Sequence, residues 1–180
     1  SEWPRHQVVK VLCFCHPDDD DELWKGQIQT VKRLFEACRR NQLEFLLEVI
    51  PSKAGEIDDM TTALVIQRFY DESIFPDWWK LEPLLTVAAW QNVIDAIERN
   101  DAHTRGIVIL GLGESEEKLG QSFSIAANYP LVKGFAVGRT IFADVAQQWF
   151  LGAKTDAKAI DEMAKNFQKL CGIWDKAKKA

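Results

Sequence analysis

The sequence predicts an α/β fold made of successive βα units, and three observations carry that reading. Five short apolar runs recur along the 180 residues: 8–15 (VVKVLCFC), 44–50 (EFLLEVI), 78–83 (WWKLEP), 106–113 (GIVILGLG) and 132–139 (VKGFAVGR). Each is followed by a stretch with apolar residues near a 3.6-residue period, the mark of an amphipathic helix. The runs themselves are continuously apolar, so they need cover on both faces, as strands of a parallel sheet do. Their starts lie 36, 34, 28 and 26 residues apart, ordinary spacing for a βα unit.

Taken in order, the first helix is expected over about 22–40, where Leu23, Ile28, Val31, Leu34, Phe35 and Cys38 form one stripe between Lys and Arg residues. The second spans about 58–72, with Asp58 or Asp59 available to cap the free amides of its first turn. The third, about 86–101, opens at Thr86. The fourth, about 114–128, opens on the acidic Ser115-Glu116-Glu117 cluster, which suits the positive end of a helix. After the fifth apolar run come helices over about 141–151 and 156–178, the latter starting at Thr155 or Asp156. No exact internal repeat and no low-complexity linker divides the chain, so residues 1–180 read as one α/β unit.

Composition narrows the function classes. With 47% apolar residues the chain can bury a core, and 22 basic against 27 acidic residues give a net charge of −5 and a pI near 5.3. Such a charge offers no basic field to nucleic acid or anionic lipid. No apolar run approaches the roughly 18–20 residues that cross a bilayer, and the start lacks a secretory apolar segment, so a soluble, cytoplasmic protein is expected. The four cysteines, Cys13, Cys15, Cys38 and Cys171, have no zinc-site spacing and read as reduced, core-packed thiols.

Five units fit either an open doubly wound sheet or part of an eight-stranded βα barrel. Lys10, Glu48 and Lys80 lie inside apolar strands, where an unpaired charge costs several kcal/mol. They call for a shared polar cavity, which a barrel interior supplies at the C-terminal ends of its strands.

Lys80 sits between Trp78, Trp79 and Leu81. Water stripped away by tryptophans favours the neutral amine, the form that attacks a carbonyl and makes a Schiff base; the bland reading is a lysine in water or paired with Glu82. Glu48, two residues before the end of its run, suits the proton transfer of a retro-aldol cleavage, or else merely neutralises Lys10 or Lys80. Gly111 and Gly113 end the fourth run, and Gly138-Arg139 ends the fifth before a helix. Glycine-freed amides with a guanidinium make a phosphate site, although glycines also simply end strands. His16 lies at the loop edge of the expected cavity, within reach of a substrate. The acidic run Asp18–Asp21 reads as a solvated, helix-capping turn rather than a metal loop, and His6 and His103 have no partner pattern.

Together VKVLCFCHPDD, FLLEVIP, DWWKLEP, RGIVILGLG and VKGFAVGRTIF resemble the aldolase domain fused behind the sugar kinase of bacterial myo-inositol catabolism, a relative of the class I tagatose-bisphosphate aldolases. The resemblance implies a TIM-type barrel of which this chain supplies five βα units, strands four to eight. It implies Lys80 as the Schiff-base residue, Glu48 as its catalytic partner and Lys10 as a substrate contact. Gly138 and Arg139 would hold phosphate; Gly111 and Gly113 replace a serine-glycine pair of the tagatose enzymes. The implied reaction cleaves 2-deoxy-5-keto-gluconate 6-phosphate to dihydroxyacetone phosphate and malonate semialdehyde, with no metal or cofactor. An upstream sugar-kinase domain and self-association of the five-unit arc are further expectations. A phosphosugar-binding fragment without turnover, and a tagatose-bisphosphate aldolase, are the competing readings.

Overall fold

The structure, a computed structural model, describes residues 3–179. Five strands, β1 (Val8–Cys13), β2 (Glu44–Val49), β3 (Trp78–Leu81), β4 (Gly106–Leu110) and β5 (Val132–Ala136), alternate with six helices. These are α1 (Asp21–Asn41), α2 (Thr61–Asp71), α3 (Val87–Asn100), α4 (Glu116–Ala126), α5 (Arg139–Phe150) and α6 (Asp156–Ala177). All five strands form one sheet in the order β1-β2-β3-β4-β5. Doubly wound sheets reverse their strand order at a switch point, whereas this sheet keeps its strands in sequence order. The sheet is open, with β1 and β5 as its edges.

Every expected strand is present but ends one to three residues sooner, because the chain turns where the apolar run continues. After β2, Pro51 starts a short 3-10 turn, Pro51–Lys53. After β4, Leu112 and Gly113 both take positive φ, and the Glu114 amide donates to the Gly111 carbonyl at 2.7 Å, closing a tight turn. The helix starts follow from their caps. Asp20 accepts from the Leu23 amide, Thr86 from Ala89, Ser115 from Lys118 and Thr155 from Lys158. Asp58 serves α2 from outside the helix: its Oδ1 accepts from the amides of Met60 (2.9 Å) and Thr61 (2.8 Å).

The chain divides into two compact units, one of residues 3–81 with Thr86–Val108, the other of Glu82–Leu85 with residues 109–179. In the first, β1 pairs in parallel with β2, and β2 with β3. Phe45, Leu47, Val49, Trp79 and Leu81 are fully buried on one sheet face, where Phe35 of α1 meets Phe45 and Phe69 of α2 meets Trp79. The other face is not covered as the apolar runs predict: Val8 and Leu12 of β1 are exposed. Burial alternates along β1 and β3, and the helices of this unit that touch aromatic strand residues do so on the first face. The second unit is centred on Phe123 of α4, stacked on Phe135 of β5 at 5.1 Å and edge-on to Trp174 of α6 at 5.4 Å.

Cys13, Cys15 and Cys38 are buried free thiols and Cys171 is a half-buried one. Among the described residues no helix is long and apolar enough to cross a membrane.

Candidate active site

The open face of β1–β3 gathers the charged strand residues. Side chains two apart on a strand share a face, so Lys10 and Leu12, then Glu44, Leu46 and Glu48, then Trp78 and Lys80 line up on one side. Register places Glu48 directly beside Lys80, and Lys10 opposite Leu46, one step behind. The Glu48 carboxylate is nearly buried and bridges two ammonium groups: Lys10 Nζ donates to Oε2 at 2.7 Å, and Lys80 Nζ lies 3.2 Å from Oε1. A buried carboxylate without partners is costly, and two cations remove that cost. With two positive charges against one negative, the cluster carries a local charge of +1 and attracts an anionic ligand.

Lys80 is only 18% exposed, but its surroundings differ from the expected tryptophan bracket. Alternation sends Trp79 to the helix side, fully buried, with its indole donating to the Tyr70 hydroxyl at 2.9 Å. Trp78 alone shares the face of Lys80. What neighbours the amine is a carboxylate, placed to accept and return a proton.

His16 is buried in the loop after β1, and both ring nitrogens are already engaged. Its Nδ1 accepts from the Asp18 amide at 3.2 Å, which leaves Nε2 to donate to the Glu56 carbonyl at 2.8 Å. Gly55 packs against the ring, 3.0 Å from where a Cβ would stand. The His16 carbonyl accepts from Trp24 Nε1, and Arg68 stacks on Trp24 while donating to the Pro17 carbonyl. In this arrangement His16 ties the loop after β1 to the loop after β2. The acidic run works as a turn: Asp19 accepts from the His16 amide, Asp20 caps α1 and Asp21 pairs with Arg68.

The glycine sites lie in the second unit. Gly111 has no room for a side chain, since a Cβ would come within 2.6 Å of Val137. Gly113 is held at φ +83°, a conformation suited to glycine. Gly138 precedes α5 and supplies no side-chain cap, while Arg139 opens the helix with an exposed guanidinium that has no ion-pair partner among the described residues. The carbonyl of Glu114 accepts from the Thr140 hydroxyl at 3.2 Å, joining the turn after β4 to the start of α5.

One group at this face was not singled out from the sequence. Glu44 lies four residues before Glu48 and therefore on the same face. Its Oε2 accepts from Trp78 Nε1 at 2.8 Å and its Oε1 pairs with Arg105 at 3.1 Å. The spacing Glu-x-x-x-Glu within a strand was the available signal.

Among solved structures, the fold is similar to fructose-bisphosphate aldolase from Plasmodium falciparum, solved with TRAP and a small-molecule inhibitor, at a TM-score of 0.65 and 17% identity. That match covers 94% of this chain and 57% of the aldolase chain. A protein of Corynebacterium glutamicum matches at a TM-score of 0.49 and 18% identity, over 88% of this chain and 49% of that one. The chain thus spans about half the length of the solved proteins that it resembles. A comparison with curated protein sequences finds no match. The family described as an uncharacterized protein conserved in bacteria, DUF2090, matches over residues 1–178, and the chain belongs to it.

Proposed function

We propose that the chain carries the catalytic strands of a class I aldolase acting on a phosphorylated keto sugar acid. The observation that supports this most is the buried Glu48 carboxylate shared by the Lys10 and Lys80 ammonium groups on three adjacent parallel strands. The similarity of the fold to that of an aldolase agrees with it. The βα arc is the part of a barrel that carries strands four to eight.

In the reaction, neutral Lys80 Nζ adds to the substrate ketone, and loss of water gives a protonated imine. Glu48 takes the proton from the hydroxyl β to that carbon. The carbon–carbon bond then breaks, its electron pair passes into the enamine, and an aldehyde leaves. Protonation of the enamine and hydrolysis of the imine return Lys80 and release the second product. The imine is the electron sink, so no metal is called on. Lys10 neutralises Glu48 and faces the anionic substrate. Within the second unit, the amides around Gly138, the guanidinium of Arg139 and the turn of Gly111 and Gly113 are suited to hold a phosphate.

By resemblance the substrate is 2-deoxy-5-keto-gluconate 6-phosphate, giving dihydroxyacetone phosphate and malonate semialdehyde. The assay is release of dihydroxyacetone phosphate from that compound, run beside tagatose 1,6-bisphosphate. Turnover of the first supports the assignment, and preference for the second replaces the substrate. Saturable binding with no product from either favours a phosphosugar-binding module.

A further inference from the structure

Lys10 has two carboxylates to choose from. It stands opposite Leu46, so Glu44 and Glu48 are its two diagonal neighbours on β2, one step behind and one ahead on the same face. A step of two residues along a strand is about 6.7 Å and a step between strands about 4.8 Å, so backbone placement makes the two nearly equivalent. Yet Lys10 Nζ goes to Glu48, at 2.7 Å. The difference lies in what already holds Glu44. One of its oxygens accepts from Trp78 Nε1 at 2.8 Å, and the other pairs with Arg105 at 3.1 Å. Both partners come from the side of β2 away from β1: Trp78 is on β3, and Arg105 precedes β4 with its own amide bonded to the Asp77 carbonyl at 2.8 Å. They draw the Glu44 carboxylate away from Lys10.

We infer that Trp78 and Arg105 are positioning residues which, by holding Glu44, commit Lys10 to Glu48 and so keep two cations on the carboxylate beside Lys80. The inference deepens the aldolase reading and rests on it for its consequence, although the ion-pair selection itself does not require catalysis. When Glu44 is released, Lys10 divides its time between two carboxylates. Glu48 then holds Lys80 Nζ more fully, and the amine is less available to an electrophile. The charged groups facing Lys80 from the packed strands are Lys10 on β1, Glu48 and the more distant Glu44 on β2, and Arg105 ahead of β4.

The test is trace acylation of surface amines, with Lys80 quantified by mass spectrometry at pH 8. The Trp78→Phe/Arg105→Ala double variant keeps an aromatic ring but removes both donors to Glu44. Its Lys80 labelling is expected to fall about 3- to 10-fold. Adding Glu44→Gln removes the competing charge and restores the wild-type labelling, while Glu44→Gln alone leaves it unchanged. Arg105→Lys, which keeps the cation, behaves as wild type. Trp78→Phe alone is the fallback if the double variant does not fold, with the same direction and a smaller loss. Unchanged Lys80 labelling, or a loss that Glu44→Gln fails to reverse, overturns the inference. Borohydride trapping with dihydroxyacetone phosphate on the same samples separates the two claims. Absent trapping in the wild type with a reversible loss of labelling defeats the aldolase reading and leaves the selection of Lys10 standing.

Discussion

At the residue scale, Arg139 offers the clearest selective test, because its guanidinium is exposed and has no ion-pair partner among the described residues. A charge-assisted hydrogen bond to phosphate contributes about 1.5–3 kcal/mol, so Arg139→Ala is expected to lower kcat/KM on a phosphorylated keto sugar about 10- to 150-fold. A non-phosphorylated analogue should lose far less. Equal losses on both, or a lowered Tm without selective kinetic damage, would instead make Arg139 a structural residue. The buried thiols make a second prediction. Desolvation pushes Cys13 up to about 11 from 9.0, and pushes Cys15 higher still, with Cys13 and Asp19 adding to the effect; burial also raises the Tyr70 hydroxyl. The folded chain keeps protons that the unfolded chain releases, so this stability is complete below about pH 9 and is lost as pH rises through 11. Cys13 alone accounts for about 2–3 kcal/mol. Tm measured from pH 8 to 11 should fall, and the Cys13→Ala/Cys15→Ala variant should fall less steeply; identical slopes would contradict the assignment.

At the element scale, periodicity and capping made all six helices and five strands legible, since burial of a stripe and satisfaction of helix-end amides are local requirements. Strand ends were less legible: an apolar run continues through Phe14 and through Leu112, where only the turn geometry stops the ladder. The site was legible in part. Lys10, Glu48 and Lys80 announce themselves as charges inside strands, but their pairing depends on a register that one strand does not encode. For the same reason the two tryptophans beside Lys80 were expected to act together, whereas the pleat sends them to opposite faces. The start of α2 yields a pH prediction. The Asp58 carboxyl is held below the ordinary carboxylate value by the Thr61 hydroxyl first, and then by the Met60 and Thr61 amides. Its contribution is therefore present above about pH 4 and is lost as pH falls through the lowered value. Asp58→Ala should lower Tm at pH 7 and have little further effect at pH 2.5; a pH-independent difference would contradict the capping role. Thr86→Ala removes the cap of α3 and its bond to Asp59, and is expected to cost about 1 kcal/mol in urea unfolding.

At the scale of the whole molecule, the open parallel sheet leaves edge backbone groups without a ladder partner among the described residues. The Ile50 amide donates to the Cys13 carbonyl, which turns Cys13 toward β2; alternation then turns the backbone groups of Val8, Lys10 and Leu12 to the free edge of β1. Exposed Val8, Leu12 and Phe14 flank that edge with no proline or glycine to blunt it. Concentration-dependent self-association is the expected outcome in sedimentation velocity, and Phe14→Ser should weaken it; a monomer at all concentrations would contradict the expectation. The catalytic claim is tested most directly by one measurement on the same chain: reduction with borohydride in the presence of dihydroxyacetone phosphate, followed by peptide mass spectrometry. The account predicts a single adduct on Lys80 that is absent from Lys80→Met. An adduct that persists in that variant on Lys10 or another lysine, or no adduct at all in the wild type, would contradict it.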